Sequence, residues 1–241
     1  MFQLTQFGFI ALSVFCVLYM YRTLNLALPK TAFAPHKQKR IKRQFIGAVI
    51  AWTSLISLLA WSQFFANFDS IPPRLFLVLL IPLVTAIALS LFSSTLKEIL
   101  WHIPPQKLIY IQSFRIIVEV LIWLLFVQEL LPMQMTFEGM NFDVLSGLFA
   151  PIVAYYCFTK ARWPKWVAIA YNLMGIILVF TIVTIAILSF PTPFRYFMNE
   201  PANRIVAQFP FVWLPGILVT IAYSMHFFSL KQLLSSSPTE S

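Results

Sequence analysis

Seven stretches of the chain are almost unbroken in apolar side chains, and short segments bearing prolines and charges separate them. They are Leu4–Tyr21, Phe45–Phe65, Leu75–Leu96, Leu108–Leu131, Val144–Thr159, Trp166–Phe190 and Val206–Leu230. A helix needs about 20 mainly apolar residues to cross the hydrocarbon of a bilayer. Each stretch therefore predicts a membrane-spanning helix, the fifth being the shortest. Turn chemistry punctuates them at Pro72-Pro73, Pro104-Pro105, Pro132, Pro164, and Pro191 with Pro193. Pro82, Pro151 and Pro215 fall inside stretches and predict kinks, which membrane helices tolerate. The expected fold is all-α: one polytopic bundle of seven transmembrane helices over residues 1–231, followed by a short cytoplasmic tail, 232–241.

Composition supports this reading. The 241 residues are 60% hydrophobic and 10% charged, whereas soluble domains carry about 25% charged residues. The formal charge of +9 changes the picture only through its placement. Between alternate stretches lie Arg22, Lys30, Lys37, Lys39, Arg40, Lys42, Arg43, Lys97, Lys107, Lys160, Arg162, Lys165 and Lys231. The opposite connections hold only Arg74, Arg195 and Arg204. Thirteen basic residues against three is the asymmetry expected of a cytoplasmic face, so Met1 is expected outside and Ser241 inside. Lys37, Lys39, Arg40, Lys42 and Arg43 are candidates for contact with anionic lipid headgroups. No nucleic-acid-binding pattern accompanies the charge, so a nucleic-acid partner is not expected. Met1-Phe2-Gln3 is uncharged and the first apolar core runs into Tyr21-Arg22, unlike a cleavable signal; a retained first helix is expected. Cys16 and Cys157 both fall within stretches and suggest no disulfide framework.

Candidate chemistry begins with Arg115 and Glu119 inside the fourth stretch. Charged groups near a helix centre cost about 2.5–3.5 kcal/mol each on insertion scales, so they face protein or a cavity. Four residues apart, they share one helix face and can pair. A structural ion pair and a substrate or proton site both fit. On the expected topology, Tyr155, Asn172, Tyr223 and His226 bring polar groups from other helices to neighbouring depths, which predicts a shared cavity. A buried histidine can titrate near neutral pH. The connection Pro132–Asp143 is the most distinctive loop. Glu138, Asn141 and Asp143 there are candidates for a lid or ligand contact, against a plain turn at Glu138-Gly139 with Asp143 capping the next helix. No Cys/His spacing suggests a metal site or haem, and no cofactor is expected. No phosphate loop, nucleophile elbow or His-Glu-x-x-His is present, no catalytic residue stands out, and an enzyme is the weaker reading.

Seven spans with the amino terminus outside resemble the rhodopsin-like bundle in topology. Lys231, however, lies only at the end of the last stretch and offers no mid-membrane amine for retinal. Sugar transporters built from three-helix repeats are similar in topology alone. Leu131-Pro132 through Met135-Thr-Phe-Glu-Gly-Met-Asn-Phe-Asp143, and Phe209-Pro-Phe-Val-Trp-Leu-Pro215 with His226, resemble uncharacterised bacterial seven-span membrane proteins. That resemblance implies a bacterial inner membrane and no activity. The functional expectation is a small-solute transporter, proton-coupled through an intramembrane Arg/Glu site. The alternatives are a ligand- or pigment-binding receptor-like bundle acting through a partner, and a subunit of a membrane complex. The oligomeric state stays open.

Overall fold

The computed structural model describes residues 1–235. Among these, every regular element is helical. α1 (Phe2–Ala27) buries Thr5, Phe9, Leu12, Ser13 and Cys16, a stripe at steps of three and four, and packs along α6 (Phe114–Val127). α2 (Pro35–Trp61) opens on a proline, whose missing N–H costs nothing at a helix start. Only Ile56 and Ala60 of α2 are buried, so it is a peripheral helix. Two polar ties hold it to the last span: the Trp52 indole N–H donates to the Gly216 carbonyl at 2.9 Å, and Trp213 Nε1 donates to Ser57 Oγ at 2.9 Å.

The third predicted span is broken. α3 (Phe76–Phe92) and α4 (Ser94–Trp101) meet at a 78° bend. Ser93 adopts an extended conformation there, and its Oγ accepts from the Leu96 N–H at 3.0 Å, starting a new helix in place of continuing the old one. The fourth span is built from α5 (Pro105–Tyr110), a 3-10 turn at Ile111–Ser113 and α6, and it ends where Glu129 takes φ 56°. α7 (Val144–Ala154) runs into a π-helical turn, Tyr155–Thr159, and α8 (Lys165–Leu188) follows. The last span starts later than the apolar pattern suggests. Val206 lies in a short 3-10 turn, and helix begins only at Leu214, with a π-helical turn Leu214–Leu218 leading into α9 (Val219–Leu234). Pro210 and Pro215 account for the delay, because neither can donate to a preceding helical carbonyl.

Among the described residues five helical segments are long and apolar enough to cross a membrane: Phe2–Lys30, Pro35–Trp61, Pro105–Val127, Lys165–Leu188 and Leu214–Leu234. The bent pair α3–α4 makes a sixth if it is one crossing, and the Val144–Thr159 segment is shorter. The chain is an all-helical protein with several long apolar helices, as an integral membrane protein requires. α9 continues past residue 231 through Leu234; the remainder of the expected tail, 236–241 with Ser241, lies outside the described residues.

The two ends of the bundle differ. At one, here the loop end, Gln134 Nε2 donates to Ser189 Oγ at 2.9 Å and Gln128 Nε2 to Thr5 Oγ1 at 3.1 Å, gathering the amino terminus with the 128–143 and 189–213 connections. At the other, Tyr19 Oη donates to the Lys107 carbonyl at 3.0 Å and Gln232 Nε2 to the Leu100 carbonyl at 2.5 Å. α9 is central: α3, α5 and α8 all pack against it.

Candidate functional site

Arg115 is 1% exposed, and its guanidinium is the hub of the interior. Nε donates to Asp143 Oδ2 at 2.7 Å and Nη2 donates to Asp143 Oδ1, a two-pronged ion pair. Nη1 donates to Ser146 Oγ at 2.6 Å and faces His226 Nε2 at 3.1 Å. Four of the five guanidinium N–H groups are thereby used. Arginine has no lone pair to offer, so His226 Nε2 must accept. The ring proton then sits on Nδ1 and is donated to Asn172 Oδ1, 2.9 Å away. Asn172 Nδ2 donates in turn to Ser229 Oγ at 2.9 Å and to the Ala168 carbonyl at 2.7 Å. His226 is held as a neutral anchor between α6, α8 and α9. Arginine and asparagine are poor links for a moving proton, so this chain of bonds fastens helices together.

The expected pairing of Arg115 with Glu119 is replaced by the pair with Asp143. α7 runs antiparallel to the fourth span, and its first turn brings Asp143 and Ser146 to the Arg115 guanidinium. Glu119, one turn further on, meets the loop: its Oε2 accepts from Asn141 Nδ2 at 2.7 Å. Asn141 also donates to the Met135 carbonyl at 3.0 Å and accepts from the Asp143 N–H at 3.0 Å, so one buried amide ties Glu119 to the residue that neutralises Arg115. Asp143 stands at the start of α7, yet its side chain makes no capping bond, because both oxygens serve Arg115.

The loop owes its shape to a close approach. A Cβ on Gly139 would lie 2.3 Å from the Met133 carbonyl oxygen, so only glycine fits. The interior has its own requirement: a Cβ on Gly175 would lie 2.2 Å from the His226 ring, so α8 lacks a side chain where the imidazole packs.

The remaining candidates divide. Asn172 and His226 belong to the cluster. Tyr223 is buried but bonds only within its own helix, to Thr220 Oγ1 at 3.2 Å. Tyr155 is 38% exposed and packs edge-on against Tyr156, away from the cluster. Glu138 is exposed and accepts from the Trp123 indole at 2.7 Å, fastening the turn to α6. Ser146, Tyr171 and Ser229 complete the cluster, Tyr171 by donating to the Ser146 carbonyl at 2.9 Å. Sequence alone singles out no serine; the one available signal is that Ser229 lies three residues beyond His226 on the same helix face.

A cavity of about 60 Å³ adjoins the cluster. Leu79 of α3, Val118 and Ile122 of α6, Val179 and Ile182 of α8, and Leu218 line it. Its walls are almost wholly apolar, and Arg115, Glu119 and Asp143 close its polar end. Its residues come from the part of the bundle nearer the loop end, including Met135, Phe190 and Asn203 of the connections. A single water needs roughly 10–15 Å³ measured this way, so the space suffices for a small solute or part of a longer one. A second hollow of about 400 Å³, lined by Trp101, Cys157, Lys165 and Gln232, lies at the opposite end and has no lining residue in common with the first. Among the described residues no cluster of three or more His, Cys, Asp or Glu could hold a metal ion.

Comparison with known proteins finds no family model that matches the chain and no curated protein or solved structure similar to it, so what the site can do rests on its own geometry.

Proposed function

We propose that this is a membrane-embedded binding protein that takes a small, mostly apolar molecule into the cavity between α3, α6, α8 and α9. The observation that carries the reading is the meeting of an apolar cavity with the buried Arg115, Asp143 and Glu119. Apolar walls with a few convergent polar groups are the usual make-up of a small-molecule site. A polar solute would find little to replace its hydration on such walls. In this role the protein is receptor-like and hands its signal to a partner. The test places single cysteines in a background with Cys16 and Cys157 replaced. Val179→Cys faces the cavity and Ile177→Cys lies on a 65% exposed position of the same helix. Added 1-hexanol should slow alkylation at Val179→Cys and leave Ile177→Cys unaffected; equal slowing at both would overturn the reading.

Transport of the bound molecule is the second reading, favoured by the position of Arg115 and Glu119 in the middle third of the Pro105–Val127 segment, since carrier sites lie near the membrane middle. Membrane-impermeant thiol reagents decide it: modification of Val179→Cys from both faces supports transport, and modification from one face or neither leaves binding alone.

The proposed setting is a bacterial inner membrane with seven crossings, counting α3–α4 as one and Val144–Thr159 as another, and with Met1 outside. The basic asymmetry supports this orientation. The first turns of α2, with Lys37, Lys39, Arg40, Lys42 and Arg43, would then meet anionic headgroups of the inner leaflet. Labelling of a cysteine placed at Lys39 from outside intact cells would refute the orientation.

A further inference from the structure

We infer that the cavity selects a neutral molecule with a hydroxyl head, which hydrogen-bonds to the free carboxyl oxygen of Glu119 while its hydrocarbon body lies between α3, α8 and α9. This rests on the binding reading above and assigns the chemistry of its ligand.

The charges come first. Arg115 and Asp143 neutralise each other through two bonds, so the guanidinium is not available as an anion receptor. A carboxylate or phosphate head would instead meet Glu119, a like charge whenever that carboxyl is ionised, in a medium that screens poorly. Hydrogen bonding narrows the choice further. Glu119 is 1% exposed and lines the cavity; Asn141 serves its Oε2, and among the described residues no donor reaches Oε1. Asn203 lines the cavity too, and its buried Oδ1 has no partner among the described residues; a polar oxygen left so is costly. Arg115, itself a lining residue, has one N–H, on Nη2, not used by Asp143, Ser146 or His226. A hydroxyl both donates and accepts. It satisfies the Glu119 oxygen whether that carboxyl is charged or protonated, and it can receive the spare guanidinium N–H. An ammonium head serves only the charged carboxylate, and an ether oxygen can donate nothing.

The body of the ligand follows from the walls. Leu79, Val179, Ile182, Leu218 and Val219 offer no hydrogen bond from their side chains. A space of about 60 Å³ takes the head and the first few carbons, and a longer chain must leave between helices. α3 and α8 flank α9 on the cavity side, and Val183 of α8 is a partly exposed lining residue, so the path between α3 and α8 leads toward the lipid-facing surface.

The experiment measures binding of 1-hexanol, methyl pentyl ether, hexylamine and hexanoate to the full-length protein in micelles, by their effect on thermal unfolding at matched micelle concentrations. Wild type should bind 1-hexanol about tenfold more tightly than the ether, the margin of one buried hydrogen bond, and more tightly than hexylamine or hexanoate. Glu119→Gln keeps an oxygen for Asn141 and turns an amide N–H toward the cavity. The alcohol should then lose its advantage over the ether while both still bind, a change of head preference that mere loosening of the fold would not produce. Val183→Phe, which fills the cavity from its partly exposed side, should abolish binding of all four. Equal binding of alcohol and ether by wild type, abolished by Val183→Phe, would overturn the hydroxyl assignment and leave the binding reading standing. Effects unchanged by Val183→Phe would overturn both.

Discussion

Asp143→Ala should be among the most damaging single changes in the protein. It removes two of the four bonds that hold the Arg115 guanidinium, both charge-assisted, and leaves a buried cation facing only Ser146 and His226. Bonds to charged groups are worth about 1.5–3 kcal/mol each, so two predict a loss of about 3–6 kcal/mol. The independent expectation for breaking a buried ion pair is about 3–5 kcal/mol, and the two agree. Near 4 kcal/mol the folding equilibrium shifts by roughly three orders of magnitude. Glu119→Ala should cost less, about 1–3 kcal/mol, because it strands one N–H of Asn141 whose other N–H still reaches the Met135 carbonyl. Replacing both members of the pair, Arg115→Met with Asp143→Leu, should recover most of the loss, since no charge is left without its partner. The assay is denaturant-induced loss of helical circular dichroism in micelles for wild type, the single variants and the double variant. A double variant as unstable as Asp143→Ala, or Glu119→Ala as harmful as Asp143→Ala, would refute the assignment of Asp143 as the partner of Arg115.

Three smaller predictions follow from single contacts. Gly175→Ala should destabilise by about 1–3 kcal/mol through overpacking, and the penalty should shrink in a His226→Ala background, where the ring it strikes is gone; thermal unfolding of the four proteins gives the answer. Trp52→Phe should loosen the peripheral helix α2 by removing its bond to Gly216, seen as faster amide exchange across Ile56–Ala60 with α9 unchanged. Glu200, in the connection after α8, accepts from Arg195 and from the Ala202 N–H, and these bonds hold its carboxyl below the usual glutamate range. A depressed folded value means that the contribution is present above the unfolded value and fades as pH falls through the folded one. The carboxyl titration of Glu200 should therefore have a low midpoint that Arg195→Gln moves upward.

Most of the helices are legible in the sequence because apolar length is a local property. Their breaks are less so. The turn at Ser93 depends on one side-chain bond in the Ser93-Ser94-Thr95 cluster at the end of an apolar run, and the late start of the last helix depends on two prolines whose effect on such a run is ambiguous from sequence. At the site, helical spacing places Arg115 and Glu119 inside the bundle, but it assigns the wrong partner. Spacing says which residues share a face; it does not say that a loop 28 residues further on will bring Asp143 within reach first. Asn172 and His226 come together as their depths suggest, whereas Tyr155, at the start of the π-helical turn, is part-exposed and packs against its neighbour Tyr156, because depth alone does not say which face of a helix a side chain takes.

The central claim, that a small apolar molecule occupies the cavity beside Glu119, is tested most directly by an experimentally phased structure of the protein soaked with 6-bromohexanol. The account predicts an anomalous bromine peak within or at the mouth of the space bounded by Val179, Ile182, Val183 and Leu218, with the hydroxyl toward Glu119, and no such peak in Val183→Phe. Bromine found only along the lipid-facing surface, or equally in wild type and Val183→Phe, would contradict it.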